Sequence, residues 1–165
     1  MKSCCFTGNR PARFPWGYDE NDNRCKQLKD TISAEIERLI EQGYDKFIAG
    51  MALGADIFCA EAVLKLKEKY PFVSLECALP CGQQTKGWSQ AMAKRHEYIV
   101  GNADKVTTVS EHYTRFCMMK RNAYMVDNAD FVLAVWDGVP SGGTYNTIEK
   151  ARRDGKGVKI VGYKN

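Results

Sequence analysis

The sequence predicts an α/β protein, one domain over residues 1–165 built on a doubly wound, mostly parallel sheet with helices on both faces. Three observations carry the prediction. Short apolar runs such as Phe131–Val135 and Phe47–Ala49 alternate with longer segments of helical spacing, the order that yields parallel sheets. The Phe131 run is continuously apolar rather than alternating, as a strand covered on both faces requires. Glycine-bearing turns follow the strands and lead into helices, where the backbone must turn tightly. A chain of 165 residues with 44% hydrophobic content is large enough for one substantial core.

The elements follow in order. Ser3–Thr7 is a short strand that ends at Gly8-Asn9-Arg10-Pro11, because Pro11 cannot continue a ladder. Ala12–Asn23 is polar and aromatic and reads as a loop. Asp22 or Asn23 caps the next helix, marked by Leu28, Ile32, Ile36, Leu39 and Ile40 and stopped by Gly43. A strand over 46–50 runs into the turn Met51-Ala52-Leu53-Gly54-Ala55-Asp56. Asp56 is placed to cap a helix with Ile57, Ala60 and Leu64 on one face, reaching about Tyr70 before Pro71. Val73–Leu79 is a third strand, closed by Pro80-Cys81-Gly82. Lys86–Gly101 carries a weaker helical pattern through Trp88, Met92, Ile99 and Val100, and Lys105–Ser110 is β-branched and strand-like. A helix over 115–128 is expected to turn Phe116, Met119, Ala123 and Val126 inward. The Phe131 strand, a glycine-rich turn, a helix to about Asp154 and a strand over 158–163 complete the chain.

Composition narrows the function classes. The net charge of +4 favours anionic ligands mildly, but no dense Lys/Arg block forms a nucleic-acid arm. No segment has the length of a membrane span and the first residues lack a signal-peptide pattern, so a cytoplasmic protein without membrane attachment is expected. Seven cysteines form no C-x-x-C pair, and neither His96 nor His112 completes a zinc spacing, so no metal is expected. Most of the cysteines read as small buried hydrophobes, with Cys81 the one expected to be exposed and reactive. Trp88 and Trp136 read as core or rim residues rather than base-stacking platforms.

In an open parallel sheet, ligands bind beyond the carboxyl ends of the strands at the switch in strand order. The turns Gly8–Arg10, Gly50–Asp56, Pro80–Lys86, Ser110–Tyr113 and Asp137–Thr144 each follow a strand and should share that edge. If the first and fourth strands flank the switch, Gly8 and the Ser110 loop form its walls. Ser141, Gly142 and Gly143 admit a ligand close to the backbone, and the following helix directs free N–H groups and its dipole at an anion. Gly142, Gly143 and Thr144 would hold a phosphate, while Gly8, Gly50 and Gly54 leave room for a sugar and a second phosphate. Arg10 and Arg121 would neutralise charge; a surface arginine is the plain alternative for Arg121. Asp56 has a sufficient explanation as a helix cap, and Glu149 as a solvent-facing carboxylate. G-x-G-x-x-G, the P-loop and the G-x-S-x-G elbow are all absent, which argues against ordinary dehydrogenase, NTPase and serine-hydrolase chemistry.

Taken together, Thr7-Gly8-Asn9-Arg10-Pro11, Gly50-Met-Ala-Leu-Gly-Ala-Asp56, Ala60-Glu61-Ala62, Arg121-Asn122, Asp137 and Ser141-Gly-Gly-Thr144 resemble the YpsA-like branch of the SLOG superfamily over nearly the whole chain. The resemblance implies a Rossmann-like fold and a nucleotide-derived ligand, such as an ADP-ribose-, NAD- or nucleoside-phosphate-like molecule, bound by Gly8, Asn9, Arg10, Gly50, Gly54, Asp56, Asp137 and Ser141–Thr144. No further cofactor is implied, and a homo-oligomer stays open. Relatives include the DNA-processing protein DprA and the Lonely Guy phosphoribohydrolases. The hydrolases carry P-G-G-x-G-T-x-x-E after a helix with an Arg-Lys pair. Gly142, Gly143, Glu149 and Arg121 match, so Arg121 and Glu149 are the candidate catalytic pair. Ser141, Tyr145, Asn146 and Asn122 replace the Pro, third Gly, Thr and Lys, which weakens hydrolysis more than phosphate binding. The expected function is a ligand-binding sensor or regulator. Alternatives are cleavage of a nucleotide N-glycosidic bond, in which a carboxylate stabilises the positive charge developing on ribose, and, more weakly, single-stranded DNA binding.

Overall fold

The computed structural model describes residues 2–163. Its strands are β1 (Lys2–Gly8), β2 (Tyr44–Ala49), β3 (Ser74–Leu79), β4 (Lys105–Thr108), β5 (Phe131–Val135) and β6 (Gly157–Val161). The helices are α1 (Asn23–Glu41), α2 (Ala55–Leu66), α3 (Gln90–Gly101), α4 (Cys117–Asp127) and α5 (Gly143–Arg153), with a single 3-10 turn at Pro11–Arg13. Every strand pairing is parallel and the order is β4-β3-β2-β1-β5-β6, a Rossmann-like doubly wound sheet.

Strand periodicity sorts the core into two layers. Cys4, Phe6, Phe47, Ala49, Leu75, Cys77, Leu133 and Val135 point to one face and pack against α1, α2 and Ile99 of α3. Cys5, Ile48, Ala78, Val132 and Ala134, offset by one residue, point to the other face and meet Met125 and Val126 of α4 and Ile148 and Ala151 of α5. Side chains alternate across a strand, so these central strands need apolar residues at every position. The α1 stripe Leu28, Ile32, Ile36, Leu39 and Ile40 is buried, Asp22 Oδ1 caps the helix at the Arg24 N–H (2.8 Å), and Gly43 follows at φ 100°. Among the described residues no helix is long and apolar enough to cross a membrane.

Four sequence expectations are corrected. The switch in strand order lies between β1 and β5; β4 is the far edge, so the Ser110 loop is not a wall of the switch. The inward face of α4 is Cys117, Arg121, Met125 and Val126, while Phe116 (52% exposed) and Met119 (62%) face outward. Apolar spacing predicts the Phe116 and Met119 face as the buried one, but α4 places a charged group, Arg121, at an inward position. Cys81 is buried, as are the other six cysteines, all free thiols. Finally, Asp56 is not the cap of α2: Gly54 holds that position and Asp56 sits inside the first turn.

Candidate functional site

Winding from β1 through β2 and β3 to β4 goes one way, and from β5 to β6 the other. The connections diverge above β1 and β5 and leave a crevice of about 350 Å³ beyond their carboxyl ends, the size and position typical of ligand sites in such sheets. Its walls come from the end of β1 and the turn after it (Gly8, Asn9, Arg10, Arg13), the β2–α2 connection and first turn of α2 (Ala52, Asp56), α4 (Met118, Arg121, Asn122), and the β5–α5 connection and first turn of α5 (Ser141, Gly143, Thr144).

The turn after β1 is tied into place. Asn9 donates its backbone N–H to the Val135 carbonyl (3.0 Å), and its side-chain Oδ1 accepts from the Asp137 N–H and the Tyr163 hydroxyl, each at 2.8 Å. One buried side chain thereby joins β1, the β5 turn and the segment after β6. The Asn9 carbonyl accepts from the Ala55 N–H at 3.1 Å, which brings the start of α2 against the β1 turn. Gly54, at φ 94°, permits that approach, since a Cβ there would stand 2.7 Å from the same carbonyl. Gly8 is glycine for packing: a Cβ would lie 2.3 Å from the Cβ of Ala55.

The floor of the crevice holds two buried charged groups. Arg121, 3% exposed, donates from Nη1 to the Gly50 carbonyl and from Nε to Asn122 Oδ1 (2.8 Å), with Nη2 beside the Met118 sulfur at 3.7 Å. Asp56 accepts the Ala52 N–H at Oδ2 (3.2 Å). Burial raises the Asp56 carboxyl above its ordinary range, opposed by the field of Arg121, the Ala52 N–H and Arg10. Burial likewise lowers the Arg121 guanidinium, with Asp56 pulling it back up. Loss of water is the leading cause for both, because a charged form gives up its hydration in a dry site.

At the opposite wall Gly142, φ 95°, holds the cap position before α5, and no side chain caps the helix. Its first-turn N–H groups and positive dipole end therefore open on the crevice, the ready-made setting for an anion. Arg13 holds this wall: Nη1 pairs with Asp137 Oδ2 at 2.8 Å and Nη2 donates to the Ser141 carbonyl at 3.1 Å. Asp137 Oδ1 also accepts the Val139 N–H at 3.0 Å, so Asp137 shapes the turn and its side chain is buried.

Gly8, Asn9, Arg10, Asp56, Arg121, Ser141, Gly143 and Thr144 thus meet in one crevice. Gly50, Gly54, Gly142 and Asp137 support it from behind through backbone carbonyls, close approaches and turn bonds. Glu149 does not join them. It lines a neighbouring groove between α4 and α5, where Oε1 accepts from Arg152 at 3.2 Å. Sequence reading missed Arg13, which lies in a stretch read as loop; Pro11 opening a helical turn was its only local signal. Among the described residues, no group of three or more His, Cys, Asp or Glu is arranged to hold a metal ion.

Comparison with known proteins agrees with this architecture. The chain is 32% identical over 111 residues to a UPF0398 protein of Bacillus pumilus, a match covering 67% of this chain and 59% of that protein. It is 28% identical over 111 residues to the UPF0398 protein BH1768 of Halalkalibacterium halodurans, covering 67% and 58%. A UPF0398 protein of Bacillus thuringiensis matches at 27% over 112 residues, covering 67% and 60%. The match thus spans about three fifths of the length of these relatives. The family model described as the YspA SLOG family matches residues 4–160, which takes in all six strands except the first two residues of β1 and the last of β6. The chain belongs to the YpsA (YspA) SLOG family.

Proposed function

We propose that this protein binds a phosphorylated, nucleotide-derived molecule in the β1–β5 crevice and serves as a sensor or regulator. One observation carries the reading. The uncapped N-terminus of α5 opens into the same crevice as Arg10, Arg13 and Arg121, and Asp56 is the one carboxylate among the lining residues described. Helix N–H groups, a helix dipole and guanidinium forks are complementary to phosphate oxygens. SLOG membership supports the nucleotide part of the proposal.

Thermal unfolding with ADP-ribose, NAD or AMP tests it. A ligand at a hundred times its Kd stabilises the folded state by about 2.7 kcal/mol. For a chain of this size that raises Tm by roughly 5–10 °C. Gly143→Asp should abolish the shift by placing a carboxylate where the phosphate sits. A Cβ at Gly143 meets only Asn122 Nδ2, at 4.0 Å, and Asp suits a helix N-terminus, so the variant folds. An unchanged Tm with all three ligands, or an undiminished shift in Gly143→Asp, refutes the site. The same incubations detect cleavage as released base or nicotinamide; the position of Glu149 outside the crevice supports binding without turnover.

A further inference from the structure

Two further cavities open from the crevice toward β3 and β4. One, of about 190 Å³, shares Arg10, Ala12, Ala52 and Met118 with the crevice and adds Tyr18, Leu53, Gln84 and Trp88. The other, of about 400 Å³, shares Gln84, Trp88 and Met118 with the first and adds Cys81, Lys86 and Tyr113. Met118 lines all three, so they form one trough running along the carboxyl edge of the sheet.

Its chemistry differs from that of the crevice. Trp88 stands in both added cavities, its ring held edge-to-face against His96 with centroids 5.4 Å apart. Tyr18 and Tyr113, each about two-thirds exposed, stand at the rim. Two such large aromatic rings left in solvent, Tyr18 at the first added cavity and Tyr113 at the second, mark a contact surface rather than a core. No carboxylate lines either added cavity, and the cations there are Arg10 and Lys86. The wall is preorganised through Gln84: its Oε1 meets His96 Nε2 at 2.8 Å and its Nε2 donates to the Gly50 carbonyl at 3.0 Å. That carbonyl also accepts from Arg121, so one peptide group braces the phosphate end and the aromatic end together.

We infer that the trough around Trp88 is a second subsite, taking a heteroaromatic base at the far end of a ligand whose phosphate lies in the crevice. The inference rests on the phosphate-binding reading above and adds to it the place where the base of such a ligand lies. A base stacks on Trp88 with the Met118 thioether filling the gap beside it, and Arg10 at the junction neutralises the linking phosphates.

Calorimetric titration of the full chain with ADP-ribose and with ribose 5-phosphate, which lacks a base, tests the subsite. ADP-ribose should bind the unaltered protein more tightly than ribose 5-phosphate, with roughly tenfold to a hundredfold of the gain coming from the base–aromatic stack and the rest from the second phosphate at Arg10. Trp88→Ala should remove most of the stacking share while leaving ribose 5-phosphate affinity unchanged. Tyr113→Ala, an exposed-site change that spares folding, should weaken ADP-ribose alone and by a smaller factor. The subsite is overturned if both ligands bind equally, if both variants leave ADP-ribose affinity unchanged, or if Trp88→Ala weakens the two ligands alike. Binding of neither ligand to the unaltered protein would instead overturn the phosphate site itself.

Discussion

Gly50→Ala isolates the packing of Arg121 into the crevice floor. Gly50 does not have a positive φ, so its backbone accepts alanine. The obstacle is the guanidinium: a Cβ would stand 2.8 Å from Cζ and Nη1 of Arg121 and 3.0 Å from Nε. Carbon contacts settle near 3.5–4.0 Å, so the guanidinium must retreat by about 1 Å. Arg121 is buried, and that retreat breaks its bond to the Gly50 carbonyl. A hydrogen bond to a charged group contributes about 1.5–3 kcal/mol, and overpacking of this kind costs about 1–3 kcal/mol. Gly50→Ala should therefore destabilise the fold by roughly 2 kcal/mol in urea titrations followed by circular dichroism. In an Arg121→Ala background the space is empty and the same change should cost close to nothing. The double-mutant cycle should then return a coupling of about 2 kcal/mol. If the two single costs simply add, within about 0.5 kcal/mol, Arg121 does not occupy the space above Gly50 and the floor has been misread.

Two other perturbations probe the walls and the far face of the sheet. Arg13→Ala removes the link between Arg13 and both Asp137 and the Ser141 carbonyl; the Asp137 carboxylate is buried and loses this cation, so the stability loss should be about 1–3 kcal/mol, while the ADP-ribose-induced Tm shift should fall by more than half. Unchanged ligand stabilisation would show that the β5–α5 turn keeps its shape without Arg13. Glu76 is buried on β3 beneath α4, accepting from the hydroxyls of Tyr124 (2.6 Å) and Thr107 (2.8 Å) with Lys46 at 3.1 Å. Burial pushes its carboxyl up, but those hydroxyls and the ammonium outweigh it and hold the group below its ordinary range. A depressed folded-state pKa contributes stability above the unfolded value, near 4.3, that is lost as pH falls through the folded pKa. Tyr124→Phe should thus cost about 1.5–3 kcal/mol at pH 7 and progressively less below about pH 4. Urea midpoints across that range would show a pH-independent cost if Tyr124 acts only by packing.

Local periodicity carried the fold. The strand-and-helix order, the buried stripe of α1, the Asp22 cap and the glycine-bearing turns are all short-range patterns, and each has its expected place in the structure. The turns noted along the chain do share one edge, because all the strands run parallel; three of them meet in the crevice and the other two line the trough. What failed depended on which neighbour an element meets. Phe116 and Met119 satisfied the apolar pattern but face outward, while Cys117, Arg121 and Met125 face the sheet. Asp56 satisfied the preferences of a cap, yet Gly54 takes that role and Asp56 turns its carboxyl back to the Ala52 N–H.

By itself the sequence determined the class of this protein: apolar runs too continuous for anything but buried strands, separated by amphipathic helices, leave a doubly wound sheet as the arrangement that covers both faces. It also determined that the glycine-bearing turns would crowd one edge. Strand order was a tertiary decision: β5 lies beside β1, a pairing between strands far apart in the chain that no local pattern specifies. That choice made the crevice and brought Arg13 to Asp137 across 124 residues of chain, while Arg121 is buried against the Gly50 carbonyl just after β2. A long-range pairing of this kind leaves no periodic trace in the sequence, because its partners are selected by distance in space and not along the chain.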